Sequence, residues 1–232
     1  IEDETGFSIS ARAYRRLGFD DETGRVGPGI LGEGTTAMIK DCLATVVNEE
    51  GALTHRKAEA LVGTCLEAAE VETPRGLSAD EIQPLADTPA LFSQLRAAGY
   101  KVAVNTSDSR AATDRDLDRL GVTGLVDAVV CADDAWMVPK PHPVSAYSIC
   151  AQLGVRPRDA IMIGDSLSDL QLGSNAHLGC AIGVLTGVTP KTTLQSDTEL
   201  VVKDVTEAVE LILRDQGSWF PPLAEPHKQP GC

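Results

Sequence analysis

Two aspartates follow an apolar run in the second half of the chain. The run is residues 160–164 (AIMIG), with Asp165 directly after it and Asp169 four residues later. Apolar, partly β-branched residues that end at a glycine and an acid predict a buried parallel strand, which carries Asp165 to the sheet edge where α/β folds bind ligands. A helix starting near Ser166 would turn both acids towards one site. Paired carboxylates attract a proton or a cation such as Mg²⁺; the alternative is a helix-capping Asp beside an unrelated surface Asp.

A second polar turn follows an earlier apolar segment. Residues 101–106 read KVAVNT and predict a short buried strand, with Thr106, Ser107 and Asp108 at its carboxyl end. A hydroxyl group together with the backbone N–H groups that open the next helix can form a cradle for an anion. A plain cap between a strand and a helix is the alternative.

Lys140 stands between two prolines, in the segment 138–141 (VPKP). Proline fixes its own φ and holds the preceding residue extended, so the backbone of this lysine has little freedom. An ammonium group held in this way suits a phosphate or a carboxylate, whereas the alternative is a solvent-facing lysine in a proline-rich loop. The three candidates follow three strands predicted for one sheet, so together they offer a hydroxyl, a cation and an acid pair at one edge.

The elements that position these candidates alternate regularly between residues 88 and 214. Short apolar strands and helical segments closed by glycines predict an α/β fold with a doubly wound parallel sheet covered by helices on both faces. Thr88 is the predicted N-cap of the first helix, with Pro89 at its first helical position. The predicted strands are residues 101–106, 128–131, 160–163, 180–185 and 199–202, and the predicted helices begin at residues 88, 110, 143, 166 and 204.

The chain before residue 88 has a different character. Helical periodicity predicts a short helix over residues 11–17 and then two longer helices, one from Thr35 and one capped by Thr54, packed as an antiparallel pair. We predict three regions: a helical segment over residues 1–84, an α/β core over residues 85–215 and a disordered tail over residues 216–232, which holds four prolines.

Composition narrows the range of partners. The formal net charge is −14 and no basic stretch interrupts it, so nucleic acid and anionic membranes are poor partners. We find neither an apolar run long enough to span a membrane nor a signal peptide. The six cysteines contain no C-x-x-C pair, which predicts a reducing compartment (the cytoplasm or an organelle matrix) with neither a zinc site nor a disulfide framework.

The candidate residues resemble a known family when they are taken together. The set of Thr106, Lys140 in PKPHP and the motif G-D-S-x-x-D at residues 164–169 is similar to the haloacid dehalogenase-like (HAD) hydrolase superfamily, and most of all to its phosphoglycolate phosphatase-like branch. The resemblance covers residues 88 to about 214. It implies a HAD-like Rossmannoid core, with residues 1–84 as the small helical cap of that branch.

The resemblance also implies a role for each candidate. Thr106 would bind the transferred phosphoryl group with help from the Ser107 N–H, and Lys140 would bridge that group and the nucleophile. Asp165 would bind Mg²⁺, and Asp169 would bind or orient the ion. The acid pair favours a Mg²⁺-dependent phosphatase of a small phosphorylated metabolite over a dehalogenase, because phosphoryl transfer needs the metal to offset charge.

The family's first motif, an Asp-x-Asp-Gly-Thr nucleophile loop after an apolar strand, is missing from this sequence. The nearest match is residues 1–6 (IEDETG), where no strand precedes the acids and Thr and Gly stand in the wrong order. We expect the family's central first strand to be absent, leaving unpaired backbone on both sides of a gap about twice the usual strand spacing of about 4.8 Å. The chain is therefore expected to be a fragment, or a splice or gene-model product, of a longer phosphatase, and to be inactive by itself.

Two other functions stay open at this stage. One is a non-catalytic protein that binds phosphate or Mg²⁺ through Thr106, Lys140 and Asp165, and the other is a phosphomutase on the same scaffold. A smaller departure from the family is His177, which stands where the helix end usually has glycine. We interpret it as a surface histidine that ends a helix.

Overall fold

The structure is a computed structural model that describes residues 10–51, 53–72, 84–198 and 200–214. Its contacts divide the chain into two compact units. The first unit consists of Ile1–Pro84, Thr106–Arg115 and Cys131–Asp133, and the second consists of Leu85–Asn105, Asp116–Val130 and Asp134–Cys232. The tail predicted for residues 216–232 lies outside the described residues, so the predicted domain boundaries stay predictions.

The first unit is mainly helical. Its helices are Ser10–Leu17, Ile30–Glu33, Thr36–Glu49 and His55–Glu72, and a small antiparallel hairpin joins β1 (Phe19–Asp20) to β2 (Arg25–Val26). The side chain of Thr35 accepts a hydrogen bond from the Met38 N–H at 3.2 Å and caps the helix Thr36–Glu49 where the sequence predicted its start. The two long helices pack around fully buried small apolar residues: Ala44, Val46, Val47, Ala58 and Val62. The hairpin and the short helix Ile30–Glu33 were not predicted.

The second unit alternates strands and helices, which confirms the predicted α/β fold. The strands are β3 (Ala103–Asn105), β4 (Ala128–Val130), β5 (Ile161–Gly164), β6 (Cys180–Val184) and β7 (Val201–Val202). The α-helices are Thr88–Ala97, Arg110–Arg119 (which begins in the first unit), Val144–Leu153, Leu167–Asn175, Lys191–Leu194 and Val205–Arg214, and 3₁₀ turns lie at Thr123–Leu125 and Pro157–Asp159. Among the described residues, no helix is long and apolar enough to cross a membrane.

The strands of the second unit form two parallel sheets. In one sheet β3 pairs with β4, with Ala103 opposite Ala128, and in the other the order is β5-β6-β7, with Ile161 opposite Cys180. Within the described residues, β3 and β5 therefore each have one edge without a strand partner. Ala103 is exposed although it lies in a strand, and the three apolar residues of β5 are only half-buried.

Two helices contact both sheets. On the helix Thr88–Ala97, Leu95 packs with the apolar cluster around Ile182 of β6, while Arg96 pairs with Asp127 just before β4. On the helix Val144–Leu153, Ala146 packs with a cluster that includes Met162 of β5. The two sheets thus share their covering helices, as parts of one α/β layer would.

Several predicted boundaries need correction. The N-cap of the helix Thr88–Ala97 is Asp87, whose side chain accepts from the Ala90 N–H at 3.1 Å, and not Thr88. A carboxylate one residue upstream satisfies the same free donors and also favours the helix dipole. The strands are shorter than their apolar runs because pairing, and not hydrophobicity, defines their ends. His177 follows the helix Leu167–Asn175 with a left-handed φ of 53°, which non-glycine residues seldom adopt, and it is exposed, in agreement with a surface histidine at the helix end.

Asp127 joins the first two strands of the core where they begin. Its carboxylate accepts hydrogen bonds from the Val102 N–H at 2.8 Å and from the Arg96 guanidinium at 2.6 Å, and its own N–H donates to the Val102 carbonyl at 2.7 Å. The Arg96 hydrogen bond and then the Val102 N–H hold the pKa of this carboxyl below its ordinary value. Asp127 therefore fixes the register of β3 on β4, a role the sequence did not reveal.

We expect Asp127→Asn to lower the free energy of unfolding by about 1 kcal/mol at pH 7, since its side chain is one quarter exposed. A pKa lowered in the folded state stabilises the protein above the unfolded value of about 3.9 and stops doing so as the pH falls through the folded value. The difference in the free energy of unfolding between wild type and Asp127→Asn should therefore shrink in urea titrations carried out from pH 7 down to pH 3. A gap that widens on acidification would contradict this account.

Candidate phosphoryl-transfer site

The end of β5 and the helix after it carry the candidate acid pair. Ser166 is the N-cap of the helix Leu167–Asn175: its hydroxyl accepts from the Asp169 N–H at 3.2 Å and donates to Asp169 Oδ2 at 2.7 Å. The same Oδ2 accepts from the Ser166 N–H at 3.2 Å, which completes a capping box. Asp169 is 4 % exposed, so the interpretation as an unrelated surface Asp does not hold, and the N-cap is Ser166 and not Asp165.

Lys140 forms a buried ion pair with Asp169. Its Nζ lies 2.6 Å from Asp169 Oδ1, and the two side chains are 11 % and 6 % exposed. The alternative of a solvent-facing lysine is therefore wrong. Both oxygens of Asp169 have donors, one from Lys140 and the other from Ser166, so this carboxylate is held in a single orientation.

The Lys140 segment is fixed by contacts on its carboxyl side. The Lys140–Pro141 peptide bond is cis, and the Pro141 carbonyl accepts from the Asn175 side chain at 2.9 Å. The His142 N–H donates to the Pro139 carbonyl at 3.1 Å and closes a turn. The segment is thus attached to the end of the same helix whose first turn holds Asp169.

Asp165 lies half-buried at the end of β5, beside this ion pair. Burial, and then the negative charge of Asp169, raise the pKa of its carboxyl, while its own backbone N–H and Lys140 act in the opposite direction. Two glycines leave the space that the acids occupy. A Cβ on Gly164 would fall 2.5 Å from Asp169 Oδ2, and one on Gly187 would overlap the Asp165 carboxylate.

The acid pair suits a hard divalent cation. Among the described residues, no group of three or more His, Cys, Asp or Glu side chains could hold a metal ion. Mg²⁺ does not need such a cage, because it usually keeps several waters and takes one or two carboxylates together with substrate phosphate. Asp165, whose carboxylate is unfavourably desolvated beside a second acid, fits the role of direct ligand, and Asp169 fits that of orienting group through its remaining lone pairs.

Thr106 and Ser107 belong to the first unit, where they form a local turn. The Thr106 hydroxyl accepts from the Asp108 N–H at 3.1 Å and donates to the Asp108 carboxylate at 3.0 Å. The Ser107 hydroxyl donates to the Glu33 carbonyl at 3.4 Å. The turn matches the plain-cap alternative as well as the anion cradle, so the phosphate-binding roles of both residues stay predictions.

One polar contact near the site was missed in the sequence. Asn105, the last residue of β3, donates to the fully buried hydroxyl of Ser145 at 2.9 Å, and its Oδ1 is buried with no hydrogen-bond partner among the described residues. The contact ties β3 to the helix that begins just after the Lys140 segment. A pairing across 40 residues leaves no mark in local periodicity, so no sequence signal could have identified it.

The fold and this site define a class of α/β enzymes that place acids and a lysine at the edge of a parallel sheet. A family model described as haloacid dehalogenase-like hydrolase matches residues 5–177. The chain therefore belongs to the haloacid dehalogenase-like hydrolases.

Curated relatives of this chain include pyrophosphatases and phosphoglycolate phosphatases. Pyrophosphatase PpaX of Bacillus velezensis is 35% identical over 85 residues, which are 37% of this chain and 39% of that protein. Phosphoglycolate phosphatase of Psychrobacter arcticus is 32% identical over 87 residues, which are 38% and 37% of the two chains. The matched segment spans about two fifths of the length of these relatives.

Solved structures agree on the fold. A hydrolase of Pseudomonas syringae has a TM-score of 0.63 at 16% identity, covering 89% of this chain and 91% of its own. A protein described as a predicted phosphoglycolate phosphatase of Haemophilus somnus has a TM-score of 0.61 at 19% identity and covers 78% of both chains. β-Phosphoglucomutase of Clostridium difficile has a TM-score of 0.58 at 16% identity, with 89% and 92% covered.

Proposed function

We propose that this chain carries the phosphate- and Mg²⁺-binding part of a phosphatase that acts on a small phosphorylated metabolite. The observation that supports this most is the buried Lys140–Asp169 pair beside Asp165. Burying a lysine and two acids together costs free energy that a purely structural site avoids. A charged cluster of this kind at the end of a parallel strand is typical of a functional site.

The residues of this chain would have different roles according to their charge. Asp165 and Asp169 would hold Mg²⁺, which when bound offsets the negative charge of a phosphoryl group. Lys140 supplies a fixed ammonium group for the phosphoryl oxygens, and Asp169 keeps that ammonium in place through the 2.6 Å ion pair. Thr106 and Ser107 would donate further hydrogen bonds to the phosphoryl group.

The attacking carboxylate is proposed to come from outside this sequence, which contains no Asp-x-Asp-Gly-Thr motif. The open edges of β3 and β5 support a strand between them as its carrier, since each edge exposes backbone groups that a parallel strand would pair with. Without that carboxylate no acyl-phosphate intermediate can form, so the chain by itself should bind ligands without turnover.

A cytoplasmic location is proposed for the working protein. None of the described cysteines forms a disulfide: Cys42, Cys65, Cys131, Cys150 and Cys180. Burial raises the pKa of the Cys42, Cys150 and Cys180 thiols, so they act as small apolar side chains, which suits a reducing compartment.

The test combines calorimetry with a hydrolysis assay on a panel of small phosphomonoesters. We expect the chain to bind inorganic phosphate in the presence of Mg²⁺ and to hydrolyse none of the esters. Hydrolysis should appear when a synthetic apolar peptide ending in Asp-x-Asp-Gly-Thr is added. Binding without hydrolysis even with the peptide would favour the non-catalytic function. Absence of Mg²⁺ and phosphate binding would overturn the proposed site, and hydrolysis by the chain alone would overturn the account of the nucleophile.

We predict that Asp165→Asn weakens Mg²⁺ binding at least about tenfold, because the variant keeps the shape of the side chain and loses the charge that a hard cation needs. Stability should stay unchanged or rise slightly, since one of two repelling acids is removed. Calorimetry with Mg²⁺ and thermal unfolding measure the two effects. The control is Asp197→Asn, which changes a half-exposed aspartate in the turn after the helix Lys191–Leu194. Equal Mg²⁺ affinity in the two variants would exclude Asp165 as a ligand.

A further inference from the structure

Gly187 lies in the loop that follows β6, three residues after the strand ends. The three atoms nearest to a Cβ on Gly187 would all be in the side chain of Asp165: Oδ2, Cγ and Cβ. The overlap is too close for any real Cβ, so the loop and the Asp165 side chain can both occupy their observed positions only when residue 187 has no side chain. The two residues are 22 positions apart, and the contact exists only in the folded chain.

Backbone conformation does not explain this glycine. The φ of Gly187 is not among the positive values of the described glycines, whereas Gly18, Gly99 and Gly154 do have left-handed φ. An L-residue could therefore adopt the backbone of residue 187 without strain. Gly187 is also exposed, so no apolar core requires a small residue there. The glycine is therefore explained by the space that the Asp165 carboxylate occupies.

We propose that Gly187 is a positioning residue, whose missing side chain lets the loop after β6 close against Asp165 and hold this carboxylate in the orientation that binds a cation. This inference rests on the proposed function for the metal. It adds Gly187, from the loop after β6, to a site whose acids follow β5. Gly164 has the same relation to Asp169, since a Cβ on Gly164 would fall within 2.5 Å of three atoms of the Asp169 side chain. Each acid therefore packs against a glycine: Asp169 against Gly164 of β5, and Asp165 against Gly187 of the loop after β6.

The consequence is geometric. Outer residues that orient a metal ligand change metal affinity by about 10–100-fold when they are replaced, although they do not touch the ion. A methyl group at residue 187 must displace either the loop or the Asp165 side chain. If the Asp165 side chain moves, its carboxylate leaves the cation-binding orientation, and if the loop moves, the carboxylate loses the contact that holds it there.

The experiment measures Mn²⁺ binding to the full chain by electron paramagnetic resonance, with Mg²⁺ as competitor, for wild type, Gly187→Ala and Gly124→Ala. Gly124 is the matched control: it is an exposed glycine with ordinary φ, and a Cβ there would meet nothing within 4 Å. We expect binding about tenfold weaker or worse in Gly187→Ala and unchanged in Gly124→Ala. Wild-type affinity in Gly187→Ala would overturn the proposal.

A stability cycle separates this inference from the proposed function. Melting temperatures without metal are compared for Gly187→Ala in the wild-type background and in Asp165→Ala. If residue 187 acts through Asp165, its effect on the melting temperature disappears once the Asp165 side chain is removed. An equal effect in both backgrounds overturns the contact between the two residues. Absence of Mn²⁺ binding in the wild type overturns the proposed metal site, and with it the cation role of Gly187, even where the cycle supports the contact.

Discussion

Replacing Lys140 with Met should lower the free energy of unfolding by about 3–5 kcal/mol and abolish phosphate binding. The reason is that the Asp169 carboxylate, 6 % exposed, would lose the ammonium group 2.6 Å away and would remain buried next to Asp165. Urea unfolding gives the stability and calorimetry with phosphate and Mg²⁺ gives the binding. An effect of this size is well above the cost of losing an exposed ion pair, which is about 1 kcal/mol or less.

Two further variants make this result specific. Lys203 pairs with Asp204 at 3.5 Å but is 85 % exposed, so Lys203→Met should change stability by less than about 0.5 kcal/mol. Lys140→Met combined with Asp169→Asn removes both charges while keeping an acceptor for the helix cap, and should recover part of the lost stability without recovering phosphate binding. Equal losses in Lys140→Met and Lys203→Met would contradict the buried pair.

Replacing Gly164 with Ala should cost about 2–3 kcal/mol of stability and also weaken Mg²⁺ binding, because the new methyl group overlaps Asp169. Asp169 cannot move aside cheaply, since it is buried between Lys140 and Ser166. Chemical unfolding and Mg²⁺ calorimetry measure the two losses. The expected damage comes from the packing of one side chain and not from the backbone, because the φ of Gly164 is not in the left-handed region.

The neighbouring strand provides a matched control. Gly183 of β6 stands opposite Gly164 in the parallel ladder, and a Cβ there would lie 3.4 Å from the flexible end of Leu194, an ordinary van der Waals contact. Gly183→Ala should therefore cost less than about 1 kcal/mol and leave Mg²⁺ binding intact. If Gly164→Ala and Gly183→Ala lost the same amount of stability, the loss would be a general effect of replacing a glycine in a strand, and Asp169 would not be its cause.

Much of the local structure could be predicted because its causes are local. Apolar runs predicted every strand of the second unit, and helical periodicity predicted its long helices and the helical pair of the first unit. Ends were less certain: Asp87 replaced Thr88 as N-cap because neighbouring residues can satisfy the same backbone donors. The two-residue strands of the hairpin β1–β2 are too short to leave a periodic signal.

The sequence predicted which chemical groups make up the candidate site, but it did not predict their distances and contacts. The spacing of Asp165 and Asp169 and the prolines around Lys140 identified the charged groups and the sheet edge that carries them. Only the tertiary structure decided that Lys140 pairs with Asp169, since that contact joins residues 29 apart through the packing of a loop on a helix. It also decided that Gly187 lies against Asp165 and that Asp127 joins β3 to β4. Sequence determines which chemical groups are available and which segments form strands, whereas the strand ends and the distances and burial of those groups arise only when distant segments pack together.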